Sequence, residues 1–196
     1  MKYSRTPIEN QKLIYHLTSL TNVESILKKG LLPRNSLAKF DDVAEAEILE
    51  FRGANNLNDC VPFHFFAKNP FDGTVQKRYP DKEFVYICVS REYAKANGFL
   101  IIPTHPMVAD PLTLYGYEEG FRLIDWELMN RREYCNSDCK HVCMAECVIN
   151  RFVLPKEFQS IAVETEDAKQ LVEQLFYDLY KEQPPFRVNV STNWFI

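Results

Sequence analysis

Along the first third of the chain, apolar positions recur in short blocks with a few polar residues set among them. Leu13 to Leu17 is apolar and aromatic enough for a short strand, and it carries His16 between Tyr15 and Leu17. Asn22 stands where a cap is needed for a helix through Val23, Ile26 and Leu27, which Gly30 and Pro33 stop. Asp41 or Asp42 opens a second predicted helix, Val43 to about Phe51, with Ala46 and Leu49 on one face. The Asn-rich stretch 53–59 reads as loop. Val61 to Phe66 follows as a buried strand, with a turn predicted at Asn69-Pro70-Phe71-Asp72-Gly73. Phe84 to Val89 is the clearest strand, and Ser90 caps a short helix ending at Gly98 before a strand from Phe99 to Ile102.

The pattern then loosens. Pro103 to Gly120 holds three prolines and no sustained period, which predicts a surface loop of the length that often carries function. Phe121 to Met129 is read as helical, and Met144 to Phe152 and Ser160 to Val163 as strands. Leu171, Val172, Leu175, Phe176 and Leu179 fall at helical spacing after a Thr165 cap, as an amphipathic core helix does. Arg187 to Val190 and Asn193 to Ile196 suggest a terminal hairpin or strand pair. With no internal repeat and no linker, the expectation is one α+β domain over residues 1–196.

Composition narrows the setting. No apolar run reaches the length of a membrane span, and the polar start at positions 1–5 is not a secretory signal. Six cysteines in a chain without an export signal are expected to be reduced thiols, which places the protein in the cytoplasm. A net charge of −4 argues against broad, charge-driven binding of nucleic acid, so such a substrate would need a local basic groove. Lys68, Lys77, Arg78 and Lys82 form one cluster and Arg131, Arg132, Lys140 and Arg151 another; taken singly, each reads as solvated surface charge. Cys135, Cys139, Cys143 and Cys147 recur every fourth residue, near Asp138 and His141. That spacing lines thiols along one helical face, which cannot close a tetrahedral zinc site, so no metal is expected.

Three polar residues stand out for chemistry. Glu146 begins an apolar strand between Ala145 and Cys147, where a carboxylate is expensive to bury. It is either an edge-facing residue paired to an arginine, or a carboxylate that holds a ribose hydroxyl and steadies an oxocarbenium-like transition state. Arg52 follows the second predicted helix; it is either a cation favoured by the helix C-terminus or a phosphate or base contact. His16 is either a satisfied core histidine or a ligand contact, and the polar loop Thr18-Ser19-Leu20-Thr21-Asn22 after it opens a helix whose amides suit a phosphate or carboxamide. No Gly-rich phosphate loop, nucleophile elbow or metalloprotease motif is present, no cysteine has a nucleophile context, and His64 and His105 have no assigned role.

Taken in order, these segments resemble the DarT family of DNA-modifying ADP-ribosyltransferase toxins. Tyr15-His16-Leu17-Thr18 with Asn22, Ile26-Leu27 and Gly30-Leu31-Leu32 is similar to that family's opening; Leu57 to Phe65, Asn69-Pro70-Phe71, Ile124-Asp125-Trp126 and Ala145-Glu146 match later landmarks. The resemblance implies an α+β, PARP-like ADP-ribosyltransferase fold of central mixed sheets with flanking helices. It implies NAD as a substrate held by His16, Thr18, Asn22 and Phe71, and Glu146 and Arg52 as the catalytic residues. It implies transfer to thymine or guanine in single-stranded DNA, and a toxin held in check by a macrodomain antitoxin. Phe63-His64-Phe65-Phe66 departs from the family, where many members carry Tyr, as does Lys68-Asn69, where Arg-Ser is common. The loop from Tyr134 to Cys143 has no counterpart in the pattern. Transfer to RNA or protein, NAD glycohydrolysis, and a non-catalytic nucleotide-binding module are the alternatives.

Overall fold

A computed structural model describes residues 6–38, 40–43 and 46–196. Its frame is one sheet of eight strands: β1 Leu13–Ser19, β2 Val61–His64, β3 Phe84–Ser90, β4 Leu100–Ile102, β5 Tyr115–Gly116, β6 Glu146–Ile149, β7 Ser160–Val163 and β8 Arg187–Val190. Their spatial order is β5-β4-β6-β2-β1-β3-β7-β8. All neighbouring pairs are antiparallel except β7 and β8, which run parallel. Around the sheet lie α1 Val23–Lys29, α2 Ala46–Ala54, α3 Pro70–Arg78, α4 Arg91–Ala96, α5 Tyr117–Leu123, α6 Trp126–Arg131, α7 Ser137–Val142 and α8 Glu166–Tyr180.

Both faces of the central strands are covered, which explains why Phe84 to Val89 reads as a continuous apolar run. Side chains that alternate along each strand divide between two cores. Ile14, Val85, Ile87 and Ile161 join the larger one, with Val172 and Phe176 of α8. Tyr15, Leu17, Tyr86 and Ala162 join the other, with Phe195. At about 25 cal/mol per Å2, each large aliphatic or aromatic side chain in these layers contributes roughly 1.5–3 kcal/mol on burial. α8 docks through Val172 and Phe176, with Leu175 and Leu179 packed beside them, while Leu171, expected on the same face, is exposed; Thr165 starts the helix by accepting from Ala168 N.

Several elements differ from the sequence expectation, each for a local reason. Asn69 to Gly73 is the start of α3 and not a turn: Asn69 Oδ1 accepts from Phe71 N and Asp72 N at 2.9 and 3.1 Å, and Pro70 occupies the first helical position. The helix expected over Phe121 to Met129 is two, α5 and α6, broken at Ile124-Asp125, where Asp125 caps the second by accepting from Leu128 N. The long loop after Ile102 is shorter than expected, because Tyr115 and Gly116 pair with Ile101 and Leu100 and α5 begins at Tyr117. The tail forms no hairpin: β8 adds in parallel to β7, and Thr192–Trp194 is a 3-10 turn. The second helix is described from Ala46; the expected stretch before it includes positions 44–45, which lie outside the described residues, as does the polar start at 1–5. The thiols share no single helical face: Cys139 is in α7, Cys143 at its end, Cys147 on β6, and Cys135 is exposed ahead of them.

Candidate active site

The sheet is unevenly closed around β1. Toward β3, β1 is in register over seven positions, from Leu13↔Ser90 to Ser19↔Phe84. Toward β2 it is in register only at Tyr15↔His64. Pro62 has no N–H to give to a ladder. His16 Nδ1 supplies the missing link instead, donating to the Pro62 carbonyl at 2.7 Å. Where the two strands part, a cavity of about 520 Å3 opens, lined by His16, Thr18, Asn22, Arg52, His64 and Phe71 among others. That size is within the range of small-ligand pockets, roughly 300–1,000 Å3.

Six residues singled out from sequence therefore converge on one place, five in the lining and the sixth directly behind it. Glu146 is absent from the lining itself and joins it through Arg52. One guanidinium nitrogen, Arg52 Nη1, donates to both Glu146 oxygens at 2.8 Å, and Nη2 donates to the Leu57 carbonyl at 3.2 Å. Both side chains are about nine-tenths buried, at 10% and 9% exposure. This joins the two readings left open for each residue. Glu146 is paired to an arginine, but on an interior strand, between β2 and β4, and not at a sheet edge. Arg52 sits in the last turn of α2, yet its charge is directed at a carboxylate and not at the helix terminus. A lone buried charge costs several kcal/mol, so each residue requires the other.

The cavity also has a strap that sequence reading missed. Asn22 sits at the cap position of α1 but makes no side-chain cap bond; Ser19 instead caps the preceding turn. The Asn22 amide clasps the Asp41 backbone, accepting from its N–H at 2.9 Å and donating to its carbonyl at 3.0 Å, and also donates to Thr18 Oγ1 at 3.2 Å. Asp41 is further fixed by Thr21 and Lys82, and the Lys82 ammonium holds its carboxyl below the usual range. Arg34 grips neighbouring Asp42 with two N–H donors and lies over Phe40, 5.1 Å from the ring centre. No local pattern announces the contacts to Asp41, which span 19 to 41 positions.

Electrostatics separates the histidines. Burial lowers His16 from 6.5 to about 4, so it is neutral at pH 7; with Nδ1–H on Pro62, its Nε2 is an acceptor. His105 is lowered to about 4, again chiefly by burial. His64 Nδ1 donates to the Ala145 carbonyl at 3.2 Å, and its ring meets Phe71 at 5.6 Å. Among the described residues there is no cluster of three or more His, Cys, Asp or Glu that could hold a metal ion.

The sheet thus parts to form a cavity of small-ligand size, with a buried arginine–carboxylate pair reaching it through Arg52. The chain belongs to the DarT family: the family model described as "ssDNA thymidine ADP-ribosyltransferase, DarT" matches residues 15–196. By that description it is an ADP-ribosyltransferase. Solved structures share the fold. Thermus sp. 2.9 DarT in complex with ADP-ribosylated ssDNA matches 94% of this chain and 96% of its own, at 22% identity and a TM-score of 0.79. Thermus sp. 2.9 DarT in complex with NAD+ matches 94% and 97%, at 20% identity and a TM-score of 0.73. Thermosipho africanus DarTG in complex with ADP-ribose matches 94% of this chain and 51% of its own, at 19% identity and a TM-score of 0.73. No curated protein matches the chain in sequence.

Proposed function

We propose that this chain transfers ADP-ribose from NAD to thymine in single-stranded DNA, with Glu146 and Arg52 as its catalytic pair. The observation that carries the reading is the buried contact of Arg52 Nη1 with both Glu146 oxygens beside the cavity. Cleavage of the nicotinamide–ribose bond builds positive charge on the ribose, and Glu146, held in place by Arg52, steadies it through a ribose hydroxyl. Arg52 has five N–H donors, more than its partners here occupy, and steadies charge growing on the target base while holding the base for attack. His16 offers Nε2, and Thr18 its hydroxyl, to the nicotinamide end; Phe71 gives an apolar face. Asn22 acts mainly by fixing the 40–43 strap, since both its amide hydrogens are engaged. The base must be unstacked to enter, which favours a single strand.

The protein's proposed setting is the cytoplasm, as the toxin of a toxin–antitoxin pair with a macrodomain partner. All six cysteines are free, and no helix among the described residues is long and apolar enough to cross a membrane. One sheet runs from Leu13 to Val190, which supports a single domain. The test is incubation with labelled NAD and separate DNA, RNA and protein acceptors. Label on thymine-containing single-stranded DNA is expected. Nicotinamide release with no labelled acceptor indicates a glycohydrolase, and label confined to RNA or protein a different target.

A further inference from the structure

Transfer to a base nitrogen releases a proton, and Glu146 is poorly placed to take it because both its oxygens accept from Arg52. A second group stands closer to the cavity. His64 lies directly opposite Glu146 in the antiparallel β2–β6 pair, so the two side chains share one sheet face with Cβ atoms about 4.5–5.5 Å apart. Unlike Glu146, His64 lines the cavity. Its Nδ1–H is committed to the Ala145 carbonyl and its ring is braced by Phe71, which leaves Nε2 as the basic atom.

Behind Phe71, the next residue is a carboxylate with an unanswered oxygen. Asp72 is 1% exposed. Its Oδ2 accepts from Lys68 N, Asn69 Nδ2 and the Tyr86 hydroxyl at 3.1, 2.8 and 3.0 Å. Its Oδ1 is buried with no hydrogen-bond partner. A buried orphan oxygen is costly unless positive charge arises nearby. The group beside it that can gain such charge is His64, whose ring packs against Phe71, the residue before Asp72.

We propose that His64 is a further catalytic residue, the base that accepts the proton of the target nitrogen, and that Asp72 is a positioning residue that favours the imidazolium so formed. The inference rests on the transferase reading above. In the step, the base N–H bond breaks and its proton passes to His64 Nε2. The nitrogen's electron pair forms the new bond to the ribose carbon, whose bond to nicotinamide breaks, the pair leaving with nicotinamide. The imidazolium then returns the proton to water. Nothing is oxidised or reduced. The charged and titratable groups facing His64 are Glu146 on β6, Arg52 on α2, Asp72 on α3, His16 on β1 and His105 after β4. Two of them are carboxylates that support an imidazolium, one already balanced by Arg52.

The test is the pH profile of labelled transfer from NAD to a thymine-containing single strand, for the wild type and for His64→Gln, His64→Ala and Asp72→Asn. Gln keeps a donor for the Ala145 carbonyl but cannot take a proton. The expected result is a loss of about 100-fold or more in both His64 variants, the usual worth of a positioned base, with disappearance of the acidic limb. Added imidazole should restore His64→Ala in a saturable way. Asp72→Asn should move the acidic limb to lower pH, because the neutral amide no longer favours a positive charge on the ring. Folded His64 variants within about threefold of wild type, or a loss with the limb in place and no imidazole rescue, would overturn the assignment. A wild type that labels no DNA would instead fail the transferase reading, and the inference with it.

Discussion

The two sides of β1 are built on opposite terms. On the β3 side, seven residue pairs close the ladder and the strands bury apolar side chains on both faces. On the β2 side one pair closes it, and His16, Arg52, His64 and Glu146 are buried or half-buried around the gap. The first side stabilises the molecule; the second costs it stability, since each buried polar group must be held by a specific partner. The cavity thus lies on the side of the sheet that contributes least to stability. The strands part where a histidine side chain and a proline replace a regular ladder.

The largest expected effect is at the open side. Glu146→Ala leaves the Arg52 guanidinium buried and unpaired, which should lower stability by about 3–5 kcal/mol and abolish transfer even at temperatures where the variant stays folded. Denaturant melts and labelled-NAD assays check the two halves separately. The closed side should answer differently. Phe176→Ala empties a buried site in the α8 interface and should cost about 3–5 kcal/mol while sparing the activity of each folded molecule. A loss of turnover at full folding would break the division between the two sides.

A smaller effect separates them by pH. The depressed pKa of His16 means the unfolded chain binds a proton near pH 6.5 and the folded one only near pH 4. Its contribution to stability is therefore present above about 6.5 and lost as pH falls toward 4, about 2 kcal/mol of it between pH 7 and 5. Asp72, raised to about 6 by burial, has the opposite sign, its contribution being lost as pH rises through 6. Comparing wild type with His16→Gln cancels Asp72, and the variant should show the shallower decline from pH 7 to 5. Smallest of all, Leu171→Ser on the exposed face of α8 (45% exposed) should change stability by no more than about 0.5 kcal/mol.

What sequence could show followed from how locally each feature is encoded. The Thr165 cap and the spacing of Val172 and Phe176 specify α8 within one segment, and the apolar run at Phe84 specifies a strand covered on both faces. Asn69-Pro70 is ambiguous because the same residues open turns and helices; the Asn69 cap is local, but the Tyr86 hydroxyl that also holds Asp72 comes from another strand. The six candidates were legible as candidates because His16, Thr18 and Glu146 are polar groups in apolar strands and because the order of all six resembles a family. Their arrangement was not. Arg52 and Glu146 are 94 positions apart, and neither the cavity behind Pro62 nor the Asn22–Asp41 clasp leaves a trace in any short window.

The Arg52–Glu146 pair is the proposed centre of ADP-ribosyl transfer. The most direct measurement is transfer of label from NAD to a thymine-containing single strand by wild type, Glu146→Gln and Arg52→Lys, each verified as folded. Gln keeps the shape of Glu146 without its charge, and Lys keeps the charge of Arg52 without its planar fork. Label is expected on the single strand with wild type, and a drop of about 100-fold or more with both variants. Transfer by either folded variant at close to the wild-type rate would contradict that assignment.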